Sequence, residues 1–134
     1  MGYYLAFFIL KNCVKLNIMS LYKEILLDHY KHPRHHGEIE GPSFRVAEFN
    51  PLCGDLINLS GVVVDGVLMQ VAFTGKGCVI SQATASLLLE KYSGCSKADI
   101  LAITADDVLA LIQMNLGPNR IKCALLPLIA LQKC

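Results

Sequence analysis

An α+β domain, three strands with helices before and after them, is the fold class this chain predicts. Two runs of apolar residues meet at Asp65-Gly66, and a third run, Phe44 to Phe49, precedes them. An Asp-Gly pair between two such runs signals a hairpin, because both central residues of its turn take positive φ. The other apolar residues recur at helical spacing, and they lie outside the strand region rather than between strands. Strands and helices segregated in this way make an α+β arrangement rather than a wound βαβ one.

The elements follow in order. Ser20 reads as the N-cap of a helix over Leu21–Lys31, closed by Pro33. The segment 32–37 and Gly41-Pro42-Ser43 read as breaks. The first strand runs from Phe44 and ends at Asn50-Pro51. Leu56–Val64 and Val67–Phe73 form the antiparallel hairpin. From Val79 to about Lys91 the residues Ile80, Ala83, Thr84, Leu87, Leu88 and Lys91 outline an amphipathic helix that Gly94 stops. A short helix fits Lys97–Ile103. Thr104, with Asp106 and Asp107 after it, caps another over Val108–Asn115. Gly117-Pro118 reads as a break before a last helix, Ile121–Lys133, which contains Pro127 and is kinked there unless the proline falls near its first turn.

At 134 residues the chain suits one domain with a real core. It is 54% hydrophobic and only 17% charged, which argues for a packed chain. A net charge of +1 and the lack of a lysine/arginine block speak against nucleic acid and against stable membrane association. The apolar start Met1–Leu10 has no basic residues ahead of it, no convincing cleavage site, and half the length of a membrane span. Met1-Gly2 suggests myristoylation, but Ala6 stands where serine or threonine is expected. Residues 1–19 are therefore read as an N-terminal extension and 20–134 as the domain. A cytoplasmic location with reduced thiols is the expectation.

The chain has six cysteines, and three of them stand in chemically distinctive settings: Asn50-Pro51-Leu52-Cys53-Gly54-Asp55, Gly75-Lys76-Gly77-Cys78, and Arg120-Ile121-Lys122-Cys123. Thiolates suit zinc, Cu(I) and iron–sulfur clusters, and Asp55 could complete a four-coordinate shell. A thiol at a helix start has a lowered pKa, which is the expectation for Cys78 and for Cys123 beside Lys122. Each of the three also fits an ordinary small buried side chain, and Cys13, Cys95 and Cys134 are read that way. The histidines His29, His32, His35 and His36 invite a second metal site, but are read mainly as loop or hydrogen-bonding residues.

Four segments, in order, resemble the U-type iron–sulfur assembly family: IscU, SufU and the N-terminal domain of NifU. They are Leu21-Tyr22 with Asp28-His29-Tyr30 and Pro33-Arg34; Asn50–Asp55; Gly75–Ser81; and Arg120–Ala124. The resemblance covers Leu21–Cys134. It implies an IscU-like fold with a three-stranded antiparallel sheet. It also implies that Cys53, Cys78 and Cys123 bind metal or cluster, with Asp55 as the fourth, labile group. Lys122 and Arg120 resemble the SufU branch, yet Thr104–Asn119 is too short for the insertion that branch carries.

The leading functional expectation is a scaffold rather than an enzyme. It would take sulfur from a cysteine desulfurase, with Cys123 as acceptor helped by Arg120 and Lys122, gather iron, and pass a transient [2Fe–2S] cluster to recipient or carrier proteins. The alternative is a zinc-dependent sulfurtransferase using the same four ligands. A purely structural zinc site is disfavoured by the glycine-flanked loops and the carboxylate.

Overall fold

The computed structural model describes residues 18–134; the expected extension lies outside the described residues up to position 17. The elements are α1 (Ile18–Lys31), β1 (Phe44–Asn50), β2 (Asp55–Val64), β3 (Val67–Lys76), α2 (Val79–Tyr92), α3 (Lys97–Leu101), α4 (Ala105–Ile112) and α5 (Pro118–Gln132). The strands form an antiparallel sheet in the order β1-β2-β3. Asp65 and Gly66 carry φ of 52° and 75°, as the β2–β3 hairpin requires. The other hairpin closes with Asn50 paired to Asp55, so the Pro51–Gly54 turn carries Cys53 between two strand ends.

Helices cover one side of this sheet. Ile57, Leu59, Leu68, Val71 and Phe73 from the strands meet Ile80, Ala83, Leu88 and Leu89 of α2 and Ala124, Leu128 and Leu131 of α5. Contrary to the amphipathic expectation, α2 is buried nearly all round. Its small residues Ser81, Ala83, Thr84, Ala85 and Ser86 let α1, α4, α5 and the sheet approach it closely. On the outer edge of β3, Phe73 exchanges backbone hydrogen bonds with His35 and Gly37, 2.8 Å each, which fixes the loop after α1.

Several boundaries differ from expectation, three of them instructively. The first helix already contains Ser20, so that serine is not its N-cap. Helix α4 has the expected Thr104–Asp107 capping box but ends at Ile112, where Gln113 turns left-handed at φ 54°. Helix α5 starts at Pro118, three residues earlier than expected. Gly117 is its N-cap and the proline occupies N1, where its missing N–H is no loss. Pro127 is then interior, so the carbonyl of Cys123, one turn back, receives no helical N–H from it. Among the described residues, no helix is long and apolar enough to cross a membrane.

Candidate metal centre

Asp55 sits at the centre of the site. As the first residue of β2 its side chain points inward, and it is fully buried. Its Oδ1 accepts the Cys78 backbone N–H at 2.7 Å. Its Oδ2 lies 3.0 Å from Cys53 Sγ and 3.4 Å from Cys78 Sγ. No lysine, arginine or histidine among the described residues forms an ion pair with it. Burial alone would raise the Asp55 pKa, but hydrogen bonds from the Cys123 and Cys53 thiols and from Cys78 outweigh it and hold the carboxyl below its ordinary value.

The three cysteines reach Asp55 from three different elements. Cys53 rides the exposed turn between β1 and β2. Asn50 braces that turn by accepting Leu52 N–H on its side chain (3.1 Å) and Gly54 N–H on its carbonyl (2.8 Å). Gly54, at φ 72°, supplies the left-handed residue. Cys78 is the N-cap of α2, as its sequence position suggested, and its sulfur accepts Ser81 N–H at 3.5 Å. Cys123 projects from α5 and is 2% exposed, with its sulfur 2.9 Å from that of Cys53. Ligand atoms of Cys53, Asp55 and Cys123 all lie within 4.8 Å of one another, and Cys78 joins them through the carboxylate.

Gly77 makes this convergence possible. It has φ 134°, and a Cβ there would collide with Asp55 Oδ1 and stand 2.8 Å from its Cγ. Any side chain at this position would push the carboxylate out of the cluster. A buried carboxylate with three sulfurs around it and no cationic partner among the described residues is a donor set that fits a borderline or soft cation such as zinc or iron.

One expectation about this site is corrected. The sequence position of Cys123 predicts a helix start with a lowered pKa. Because α5 begins at Pro118, it stands in the second turn instead. Burial, with hydrogen bonds to Asp55 and Cys53, pushes its thiol well above the ordinary cysteine range. The exposed thiol is Cys53. Arg120 and Lys122 are both exposed, and Lys122 borders a groove of about 240 Å³ with Phe49, Pro51, Leu125 and Ile129.

The histidines do not assemble a second centre among the described residues. His29 is buried against Ser86 Oγ (Nδ1, 2.7 Å) and near Glu90 (Nε2, 3.4 Å). The His35 ring bonds the Val71 carbonyl at 3.1 Å, and His36 meets Phe73 edge-on. Cys95 and Cys134 pack against the core, with burial raising the Cys134 thiol to about 11; Cys13 lies outside the described residues. Sequence reasoning quoted Ser81 only as the end of the Gly75–Ser81 segment and passed over Gln82, and both side chains stand behind Cys78. Their signal was a serine three residues after an N-cap cysteine, the position whose N–H a cap receives.

Comparison with known proteins places these features in a family. The NifU-like N-terminal domain model matches residues 21–134. The iron–sulfur cluster assembly scaffold protein IscU of Streptococcus pyogenes is 35% identical over 89% of this chain and 84% of its own length. The zinc-dependent sulfurtransferase SufU of Bacillus subtilis is 34% identical over 87% of this chain and 90% of its own length. Two crystal structures share the fold. One is a protein of unassigned function at TM-score 0.74 and 33% identity, covering 88% of this chain and 97% of that one. The other, described as a candidate scaffold for the SUF system of Fervidobacterium islandicum, has TM-score 0.71 and 25% identity, with the same coverages. The family model spans nearly the whole described chain and the two curated relatives cover almost nine-tenths of it, and the chain belongs to the NifU-like N-terminal domain family.

Proposed function

We propose that this protein is a scaffold for iron–sulfur cluster assembly, whose cargo is built on Cys53, Cys78 and Cys123 with Asp55 as the fourth group. The observation that carries the reading is the fully buried Asp55 carboxylate, which accepts from two thiols and a backbone N–H and has no cationic partner among the described residues. Carboxylate oxygen binds iron in a cluster less tightly than thiolate does, so the bond at Asp55 is the exchangeable one and suits a cargo that must leave.

Sulfur arrives from a cysteine desulfurase as a persulfide. The exposure of Cys53 supports its turn as the place where that persulfide is met. The Cys53 thiolate attacks the outer sulfur of the donor persulfide. A new S–S bond forms, the donor's S–S bond breaks, and the electron pair leaves on the donor's cysteine. Cys123, the acceptor expected from the sequence, stands 2.9 Å from Cys53 and takes the sulfur by the same displacement, so no net oxidation occurs. Arg120 and Lys122 help this acceptance by offering positive charge to the incoming persulfide, and their exposure on the first turns of α5 supports that role.

A second reading, a zinc-dependent sulfurtransferase, is supported by Lys122 beside the third cysteine and by the likeness to SufU. It would use the same four side chains, with zinc keeping the thiols deprotonated. Anaerobic reconstitution with ferrous iron, cysteine and a desulfurase separates the two readings. A brown species that passes its cluster to an apo-ferredoxin is expected. Colourless protein that keeps one zinc and accepts sulfane sulfur would establish the transferase instead.

A further inference from the structure

We propose that Ser81 and Gln82 are positioning residues that supply a hydrogen bond to the Cys78 sulfur once it is a ligand, making Cys78 the anchoring ligand of the centre. This rests on the cargo site proposed above. Ser81 is fully buried in the first turn of α2. Its Oγ lies 3.9 Å from Cys78 Sγ and donates to the Cys78 carbonyl at 3.2 Å. Gln82 Nε2 donates to that same Oγ at 3.1 Å.

The hydrogen-bond inventory shows what ligation changes. A neutral Cys78 thiol has two acceptors to point at, Asp55 Oδ2 at 3.4 Å and Ser81 Oγ at 3.9 Å. A ligating thiolate has no hydrogen and only accepts. With one lone pair of Ser81 Oγ held by Gln82, the hydroxyl remains a donor. Rotation about its Cβ–Oγ bond turns the hydrogen from the carbonyl towards the sulfur, and a small closing of the 3.9 Å gap completes the bond. The sulfur then has two donors, the Ser81 backbone N–H and the Ser81 hydroxyl.

An independent feature supports the arrangement. Gly75 pairs with Ile57 in the sheet, and a Cβ at this position would stand 2.9 Å from Gln82 Oε1 besides meeting the Leu56 carbonyl. The strand is bare where the Gln82 amide lies. Neither Cys53 nor Cys123 has a hydroxyl or amide donor to its sulfur among the described residues; their contacts are with each other and with Asp55. Hydrogen bonds to a ligating sulfur draw charge from it, strengthen its hold and tune the metal. The centre therefore has one supported sulfur, on Cys78, and one exposed sulfur, on Cys53.

The test uses the full chain titrated with Co²⁺, with zinc affinity measured by competition against a chromophoric chelator. Ser81→Ala keeps the backbone N–H but removes the hydroxyl. It should shift the sulfur-to-cobalt charge-transfer band to lower energy and weaken zinc binding about 10-fold. Ser81→Thr should restore most of both. Gln82→Leu, which leaves the hydroxyl but frees it to face elsewhere, should shift the band the same way by a smaller amount. It also provides the readout should Ser81→Ala fail to fold. Variants that load cobalt with the parent's band and the parent's zinc affinity would overturn this inference alone. A parent protein that binds neither metal would overturn the proposed cargo site, and this inference with it.

Discussion

Asp55 does two jobs that pull its substitution in opposite directions. It is the acceptor for the Cys78 N–H at the start of α2, and it is the oxygen in an otherwise sulfur-lined centre. Asp55→Ala leaves that N–H without its partner, so the metal-free protein should lose about 1–3 kcal/mol in urea unfolding. The same change removes the hard oxygen through which water or a recipient thiol competes for the fourth position. Loaded protein should then surrender its cluster to a chelator more slowly than the parent does. Faster release would make Asp55 a stabilising ligand and contradict the role given to it. The motif around Asp55 was legible in the sequence because proline, cysteine, glycine and aspartate stand together in one turn. Its complete burial was not, because that depends on β1 pairing with β2 and on Gly77 arriving from β3.

The elements are held in register by α1 packing on α2, and His29 is the polar pin between them. Ser86 Oγ, which lies 2.7 Å from His29 Nδ1, already accepts the Arg34 N–H at 2.8 Å. Burial first, and the nearby Arg34 charge second, lower the His29 pKa from 6.5; Glu90 and Asp28 oppose this without reversing it. The unfolded chain thus binds the proton more readily than the folded one. The stability contributed by neutral His29 is fully present above 6.5 and is lost as pH falls through the lower folded value. The unfolding free energy from urea titration should drop between pH 7.5 and pH 5.5, by at most about 1.4 kcal/mol per pH unit for this one proton. His29→Gln should flatten that drop. An equally steep fall in the variant would assign the effect to another group. Local chemistry made several elements readable: Asp65-Gly66 announced its hairpin, and Thr104 with Asp107 announced the start of α4. The start of α5 was misread because Gly117-Pro118 serves equally as a break and as an N-cap with proline at N1. That shift of three residues moved Cys123 from an expected helix start to a buried second turn.

At the scale of the molecule, an α+β frame brings together a turn, a helix N-cap and the second turn of another helix around one strand residue. No ligand pair is closer in sequence than Cys53 and Asp55, so the centre exists only when the sheet, α2 and α5 are assembled. Loading should therefore stabilise the whole domain, since a cation bound only by the folded state shifts unfolding by mass action. The central claim is that these four side chains, and none of the histidines, make one metal shell. X-ray absorption at the zinc edge of the loaded full chain tests it most directly. Three sulfur neighbours near about 2.3 Å and one oxygen near about 2.0 Å are expected, with the oxygen contribution from Asp55 replaced by water or lost in Asp55→Ala. A shell containing imidazole nitrogen, or one unchanged when Cys53, Cys78 or Cys123 is replaced by serine, would contradict it.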